Sequence, residues 1–230
     1  MKWKSRTIAR KAIGGKWDWI FHANTYGRHD KHGITLYHHN PHRSGQVALD
    51  FLGAYAGFLH CDMWQAYQRL PEATLVGCWA HVRRKFFEAV PQNASDKSIA
   101  KQGWKYCTQM FRLEKEWEHL SSEERYQPRQ EQLKPLMEDF FDWCRRQEIS
   151  VLPGSKLGRA INYALKHQET FEHVLLDGRL ELWPNVLSSR WWWDARTGCS
   201  RKVLPVHRRA TSFWAWLKQT KDMDEIQKNI

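Results

Sequence analysis

The amino-acid sequence predicts an α/β protein: a mixed sheet carrying a helical insertion. Two observations lead there. Short runs rich in aromatic and β-branched residues alternate with helical apolar periods through residues 17–92. From residue 93 to about 150 the strand signal vanishes and helical spacing takes over, before a further helix returns at 155.

The elements follow in order. Residues 1–16 are basic, with almost no apolar pattern, and form a segment of their own to which no structure is assigned. Trp17–Phe21 and Gly33–Tyr37 read as strands joined by a hairpin loop over Asn24–Gly33. Ser44 is placed to cap a helix with Val47, Ala48, Phe51, Leu52 and Tyr55 at helical spacing. Gly57–Cys61 is a short strand that delivers Asp62 at its end. A short helix around Trp64–Leu70, a strand over Ala73–Cys78 and a helix over Ala80–Val90 complete a core region at 17–92. Within the insertion, 93–154, Ser121 and Glu124 have the spacing of a capping box. Leu133, Leu136, Met137, Phe140, Phe141 and Cys144 mark a second amphipathic helix after Pro128. Residues 155–182 return to the core as one helix over 155–176 capped by Ser155, a turn at Asp177-Gly178 and a short strand over Arg179–Leu182. From Trp183 to Ile230 the pattern dissolves: tryptophans crowd, three of them consecutive at 191–193, and Asp194 is the only acidic residue between 183 and 221.

Composition narrows the function classes. Of 230 residues, 42% are hydrophobic and 27% charged, which supports a packed core rather than wholesale disorder. No apolar run approaches the roughly 20 residues of a membrane helix, and Met1–Lys4 lacks a secretory leader's apolar centre. Cysteines at 61, 78, 107, 144 and 199 are scattered without a C-x-x-C pair, as expected of a reducing cytoplasm. A net charge of +11 draws the chain toward polyanions, among which nucleic acid is foremost.

Asp62 is the first chemical candidate. A carboxylate at the C-terminal end of a strand in an α/β sheet sits where ligands and metals bind, although such a residue also serves simply to cap a turn. The second is Gly77-Cys78-Trp79-Ala80-His81-Val82-Arg83-Arg84-Lys85-Phe86. Cys78 and His81 have C-x-x-H spacing but no second pair to complete a zinc site. They also have the types of a nucleophile and its base, with no orienting third group in view. Arg83, Arg84 and Lys85 open a helix, where cations oppose the macrodipole; phosphate contact and a solvated basic face both explain them. Histidines at 22, 29, 32, 38, 39 and 42 show no ligand spacing, and Trp104, Trp117 and Trp143 fall at core positions.

On these residues the sequence resembles the transposases of the insertion sequence 66 family. The resemblance runs from about 17 to 182. It rests on Leu36-Tyr37, Arg43-Ser44-Gly45, Gly57–Asp62 with Ala66-Tyr67, Gly77–Phe86, Leu152–Leu157, Ala160–Leu165 and Asp177–Leu180. It implies a ribonuclease H-like core and an Asp-Asp-Glu carboxylate triad. That triad would bind two Mg²⁺ or Mn²⁺ ions for DNA strand cleavage and transfer at transposon ends. Asp62 corresponds to the second Asp, a catalytic and metal-binding position. Cys78 and His81 correspond to the family's C-x-x-H, and Arg83–Lys85 to its basic stretch, here assigned to DNA binding.

The chain departs from that pattern at three places. Met63-Trp64 follows the second Asp where the family has Gly-Tyr. The first Asp has no counterpart between Met1 and Trp17, so the sheet is expected to be incomplete, lacking its first strand. The Glu segment is missing after Leu182, where Trp-Pro-Asn-Val follows. The genetic code suggests how the Glu was lost. Joining the third base of each codon to the first two of the next, Trp183-Pro184 forces Ala and Leu182–Val186, with the flanking codons included, permits Leu-Ala-Glu-Arg-Ala. Trp191–Asp194 forces Val-Val-Gly, and Asp194–Ser200 permits Arg-Lys-Asn-Trp-Leu-Phe. These are the family's next motifs in order, as a frame change near Leu182–Trp183 would leave them. A similar shift across Met1-Lys2 permits the family's first acidic pair. The expectation is a transposase central region that is catalytically defective and binds no metal productively. Arg83, Arg84, Lys85, Arg159 and Lys166 would then retain affinity for DNA, with an intact transposase as a further partner.

Overall fold

The computed structural model describes residues 3–11, 17–24, 34–40, 44–53 and 55–182. The readings made for the 24–33 loop and for 183–230 lie outside these residues, apart from Asn24.

Five strands form one sheet: β1 Trp3–Lys11, β2 Trp17–Asn24, β3 Ile34–Asn40, β4 Gly57–Cys61 and β5 Ala73–Gly77. Their spatial order is β3-β2-β1-β4-β5. β1 pairs antiparallel with β2, and β2 with β3; β1 to β4 and β4 to β5 are parallel. The expectation of a missing first strand is thereby corrected. Trp3–Lys11 occupies the centre of the sheet, with Trp3 level with Gly57 and Arg6 level with His60. Its basic sequence carries no alternation, but backbone pairing on both sides places it there, which propensity alone does not reveal.

β4 is buried along its whole length, as a strand flanked by parallel neighbours should be. Between β3 and β4 lies helix α1, Gly45–Leu52, whose N-terminus is closed by Ser44 Oγ accepting the Gln46 N–H at 3.2 Å. A 3₁₀ turn over Gln65–Arg69 leads to β5. Helix α2, Trp79–Ala89, then buries Trp79, Val82 and Phe86 at helical spacing.

Helix α3, Ile99–Glu116, turns Ala100, Gly103, Cys107 and Met110 inward. Gly103 is required there, because a Cβ at that position would stand 2.5 Å from the Phe86 ring. The capping box at Ser121 and Glu124 opens helix α4, Ser122–Pro128. The sequence suggests a fresh helix after Pro128, but the chain continues without a break. A π-helical segment, Arg129–Leu133, joins α4 to helix α5, Lys134–Glu148. Pro135 lacks an N–H and its ring would crowd the carbonyl four residues back; a wider turn just before it relieves both problems.

The single helix expected over 155–176 is three pieces: α6 Lys156–Lys166, α7 Gln168–Glu172 and a 3₁₀ turn His173–Leu176. His167, with φ −118° and ψ 21°, interrupts it. Ser155 Oγ accepts from Gly158 N at 2.9 Å, so the predicted cap is present. Residues 179–182 are not a strand. They form a turn and an irregular run that buries Leu180 and Leu182.

The core lies where α2, α5 and α7 meet. The Trp79 ring sits 5.6 Å from Phe140, 5.8 Å from Phe141 and 5.3 Å from Phe171. Its Nε1 donates to the Phe171 carbonyl at 3.1 Å, and its backbone N–H to Leu182 O at 2.9 Å. Gly77, just ahead, has no room for a Cβ against the Phe171 ring. A second node is ionic. Arg129, fully buried, holds Glu114 through Nε at 2.6 Å and Nη2 at 2.8 Å. Its remaining donors reach the carbonyls of Val174 (3.3 Å), Asp177 (3.1 Å) and Leu180 (2.6 Å). One side chain thus ties the insertion to the returning segment.

Candidate functional site

Asp62 leaves the end of β4 at the edge where β5 also ends, and Cys78 N donates to Cys61 O at 3.1 Å to join the two strand ends. The partly buried Asp62 carboxylate accepts the Trp64 N–H through Oδ1 at 3.2 Å, which closes a tight turn. Between them Met63 takes φ 63°, in the left-handed region that disfavours any side chain with a Cβ. This is the position at which the family pattern has Gly. A glycine would take this conformation freely, and Met63 takes it at a strain of about 1 kcal/mol.

Three further side chains gather at Asp62. From α6, Tyr163 donates its hydroxyl to the Asp62 carbonyl at 3.3 Å. Burial, then the Asp62 charge, pushes the Tyr163 phenol above its ordinary pKa, so it remains a neutral donor. From α2, Lys85 places its ammonium 4.6 Å from the Tyr163 ring centroid. His81, one turn earlier, is coupled electrostatically to Asp62, Arg84 and Lys85. Desolvation by the surrounding protein holds its imidazole below the ordinary value of 6.5, with Arg84 and Lys85 acting the same way and Asp62 against them. Cys78 is buried, whereas His81 keeps part of its side chain at the surface while the neighbouring protein desolvates its ring. Burial pushes the neighbouring Cys61 thiol up to about 12, so it is not a thiolate at neutral pH.

The basic run of α2 divides. Lys85 turns to Tyr163, as described. Arg83 instead faces α3, where Nε donates to Thr108 Oγ1 at 3.3 Å and the guanidinium lies 5.7 Å from Trp104 and 5.6 Å from Phe111. Arg84 is exposed and pairs with Glu88 at 2.7 Å. Arg159 and Lys166 are exposed on α6. Asp62, His81 and Lys85 are therefore brought to one edge, while Arg83 and Arg84 belong to another face. Sequence reading missed Tyr163 as the partner of Asp62; the two lie 101 residues apart and only the fold joins them.

The His81 environment has a pH consequence. The unfolded chain accepts a proton below about 6.5, while the folded chain resists it. Stability therefore falls as pH drops through 6.5 toward the lowered native value, and this contribution is spent below it. His81→Gln should lessen the fall in urea midpoint between pH 7 and pH 5. An unchanged slope would show that His81 does not carry it; His167, also lowered, is the control.

The donor set can be tested against the pair of divalent ions that the resemblance implies. Among the described residues, no group of three or more His, Cys, Asp or Glu side chains is placed to hold a metal ion. β1, which runs beside the strand of Asp62, contains no Asp or Glu at any of its positions. The residues described do not fit a two-ion centre, and no chemical step through one follows from them.

The sequence model of a family described as Transposase IS66 family matches residues 5–187. The chain belongs to that family. It is similar to two uncharacterized proteins of Sinorhizobium fredii: y4hP, 32% identical over 169 residues, and y4qI, 31% identical over 168 residues. These alignments take in 66% and 67% of this chain but only 31% and 30% of the relatives, so the chain spans about a third of their length. No solved structure matches. Among the described residues no helix is long and apolar enough to cross a membrane.

Proposed function

We propose that this chain is the ribonuclease H-like central region of a DDE-type DNA transposase that has lost strand cleavage and retains affinity for DNA. Family membership supports the transposase role. The strand order β3-β2-β1-β4-β5, with Asp62 at the end of β4, supports the ribonuclease H-like reading. The observation that carries the loss of cleavage is β1: the central strand is in place but has no carboxylate to face Asp62. One acidic group cannot hold two Mg²⁺ or Mn²⁺ ions in the geometry needed to activate water and stabilise the leaving oxygen. The match to the family ends at residue 187, close to where the codon pattern puts a change of frame. The missing Glu and the composition after Trp183 follow from that one event. Exposed cations on α2 and α6 (Arg84, Arg159 and Lys166) remain to contact phosphates. Association with an intact transposase is compatible with this role.

The test is Mg²⁺- or Mn²⁺-dependent nicking of transposon-end duplex beside a binding assay over a salt series. The wild-type chain should nick no faster than Asp62→Ala, and log affinity should fall linearly with log salt. Robust nicking abolished by Asp62→Ala would overturn the loss of cleavage; binding indifferent to salt would overturn DNA affinity. Sequencing the gene checks the frame change, which requires the Glu-Arg and Gly-Arg-Lys-Asn-Trp-Leu-Phe segments in the shifted frame.

A further inference from the structure

The face of α2 turned away from Asp62 meets α3 in a groove lined by Ala80, Arg83, Arg84, Phe87, Trp104 and Phe111. Phe87 is 60% exposed and lies 5.9 Å from Trp104 with the planes inclined at 53°. Among the described residues that line it are two guanidinium groups. Arg83 is braced by Thr108 and both its aromatic neighbours, so it is fixed before any ligand arrives. Arg84, with 61% of its side chain exposed, has Glu88 among its partners, in a surface ion pair of the kind that contributes little to stability.

From this arrangement we infer that the α2–α3 groove binds an unpaired DNA strand, stacking a base on Phe87 and Trp104 while Arg84 and Arg83 contact the flanking phosphates. Aromatic faces beside cations suit single strands, because a base in a duplex already has both faces covered. The inference rests on the reading of the chain as a DNA-binding transposase region and names what one face of it recognises. It separates two roles along α2: Lys85 serves the Asp62 edge, and Arg83 and Arg84 serve a strand that has left its duplex. The groove also couples the core to the insertion, since Phe87 comes from the first and Trp104 from the second.

The experiment is fluorescence anisotropy of the full chain with a labelled oligothymidylate of about twelve nucleotides, beside a blunt duplex of equal length. Phe87→Ala and Arg84→Ala are surface changes and should leave the thermal midpoint in place. Phe87→Ala is expected to weaken oligothymidylate binding by roughly ten- to a hundredfold and duplex binding by less than about twofold. Arg84→Ala should weaken the single strand and flatten its salt dependence. Oligothymidylate affinity unchanged in Phe87→Ala would overturn the inference, as would equal losses for both probes. Sedimentation showing self-association that Phe87→Ala abolishes would assign the groove to a second copy instead, and would also overturn it. Duplex binding that persists while the single strand is ignored removes this inference alone; loss of both removes the proposed DNA affinity as well.

Discussion

Replacing Arg129 with alanine is expected to remove about 3–5 kcal/mol of stability, because it strands the Glu114 carboxylate in a fully buried position. For a domain of ordinary stability, about 5–15 kcal/mol, that leaves a substantial unfolded population. The loss is larger than the ion pair alone implies. The same guanidinium satisfies the carbonyls of Val174, Asp177 and Leu180, and those acceptors would be left without it. Urea denaturation of Arg129→Ala and of the double variant Arg129→Met with Glu114→Leu separates the two parts. The double variant should recover some stability by removing both charges, but not all, since the carbonyls of the buried Val174 and Leu180 lose their guanidinium donor. Full recovery would show that the carbonyl contacts contribute nothing; a loss under about 1 kcal/mol for Arg129→Ala would show that the node is not buried as described.

The second large effect is expected at Trp79. Its ring is fully buried among Phe140, Phe141 and Phe171, and its Nε1 donates to Phe171 O. Trp79→Ala opens a cavity at the meeting point of α2, α5 and α7 and should cost about 3–5 kcal/mol. Trp79→Phe keeps a ring but loses the donor, and should fall between. Thermal or urea melts followed by far-ultraviolet circular dichroism would order the three proteins. Equal stability of the phenylalanine variant and the wild type would discount the hydrogen bond. Because His81, Arg83, Arg84 and Lys85 all ride on α2, a shift of this anchor displaces the Asp62 edge and the aromatic groove together.

Much of this architecture is legible in the residues, and the parts that are not have physical reasons. Side-chain caps are local, so Ser44, Ser121 with Glu124, and Ser155 announce their helices without help from the rest of the chain. Strands β2 to β5 and helix α2 carry their own patterns, and Asp62 is visible at the end of β4. β1 does not show itself, because the pairing of its backbone on two sides, not its side-chain sequence, defines it. Pro128 suggests a break, yet the π-helical segment carries the helix onward past Pro135. The run Arg179–Leu182 looks like a strand because Leu180 and Leu182 alternate with polar residues. They are instead buried in an irregular run whose carbonyls accept from the Arg129 guanidinium and the Trp79 N–H, reached from far along the chain. At the site, Asp62, His81 and Lys85 stand out by type and spacing. Tyr163 does not, and neither does the separation of Arg83 from Lys85, since both depend on which helices pack against α2.

The central place of β1 has a practical corollary for anyone producing this protein. A truncation that trims the first eleven residues as a disposable leader would split the sheet into two pairs of strands and bare hydrogen-bonding edges on both β2 and β4. Exposed edges of that kind recruit other chains, so such a shortened version belongs in inclusion bodies rather than in solution.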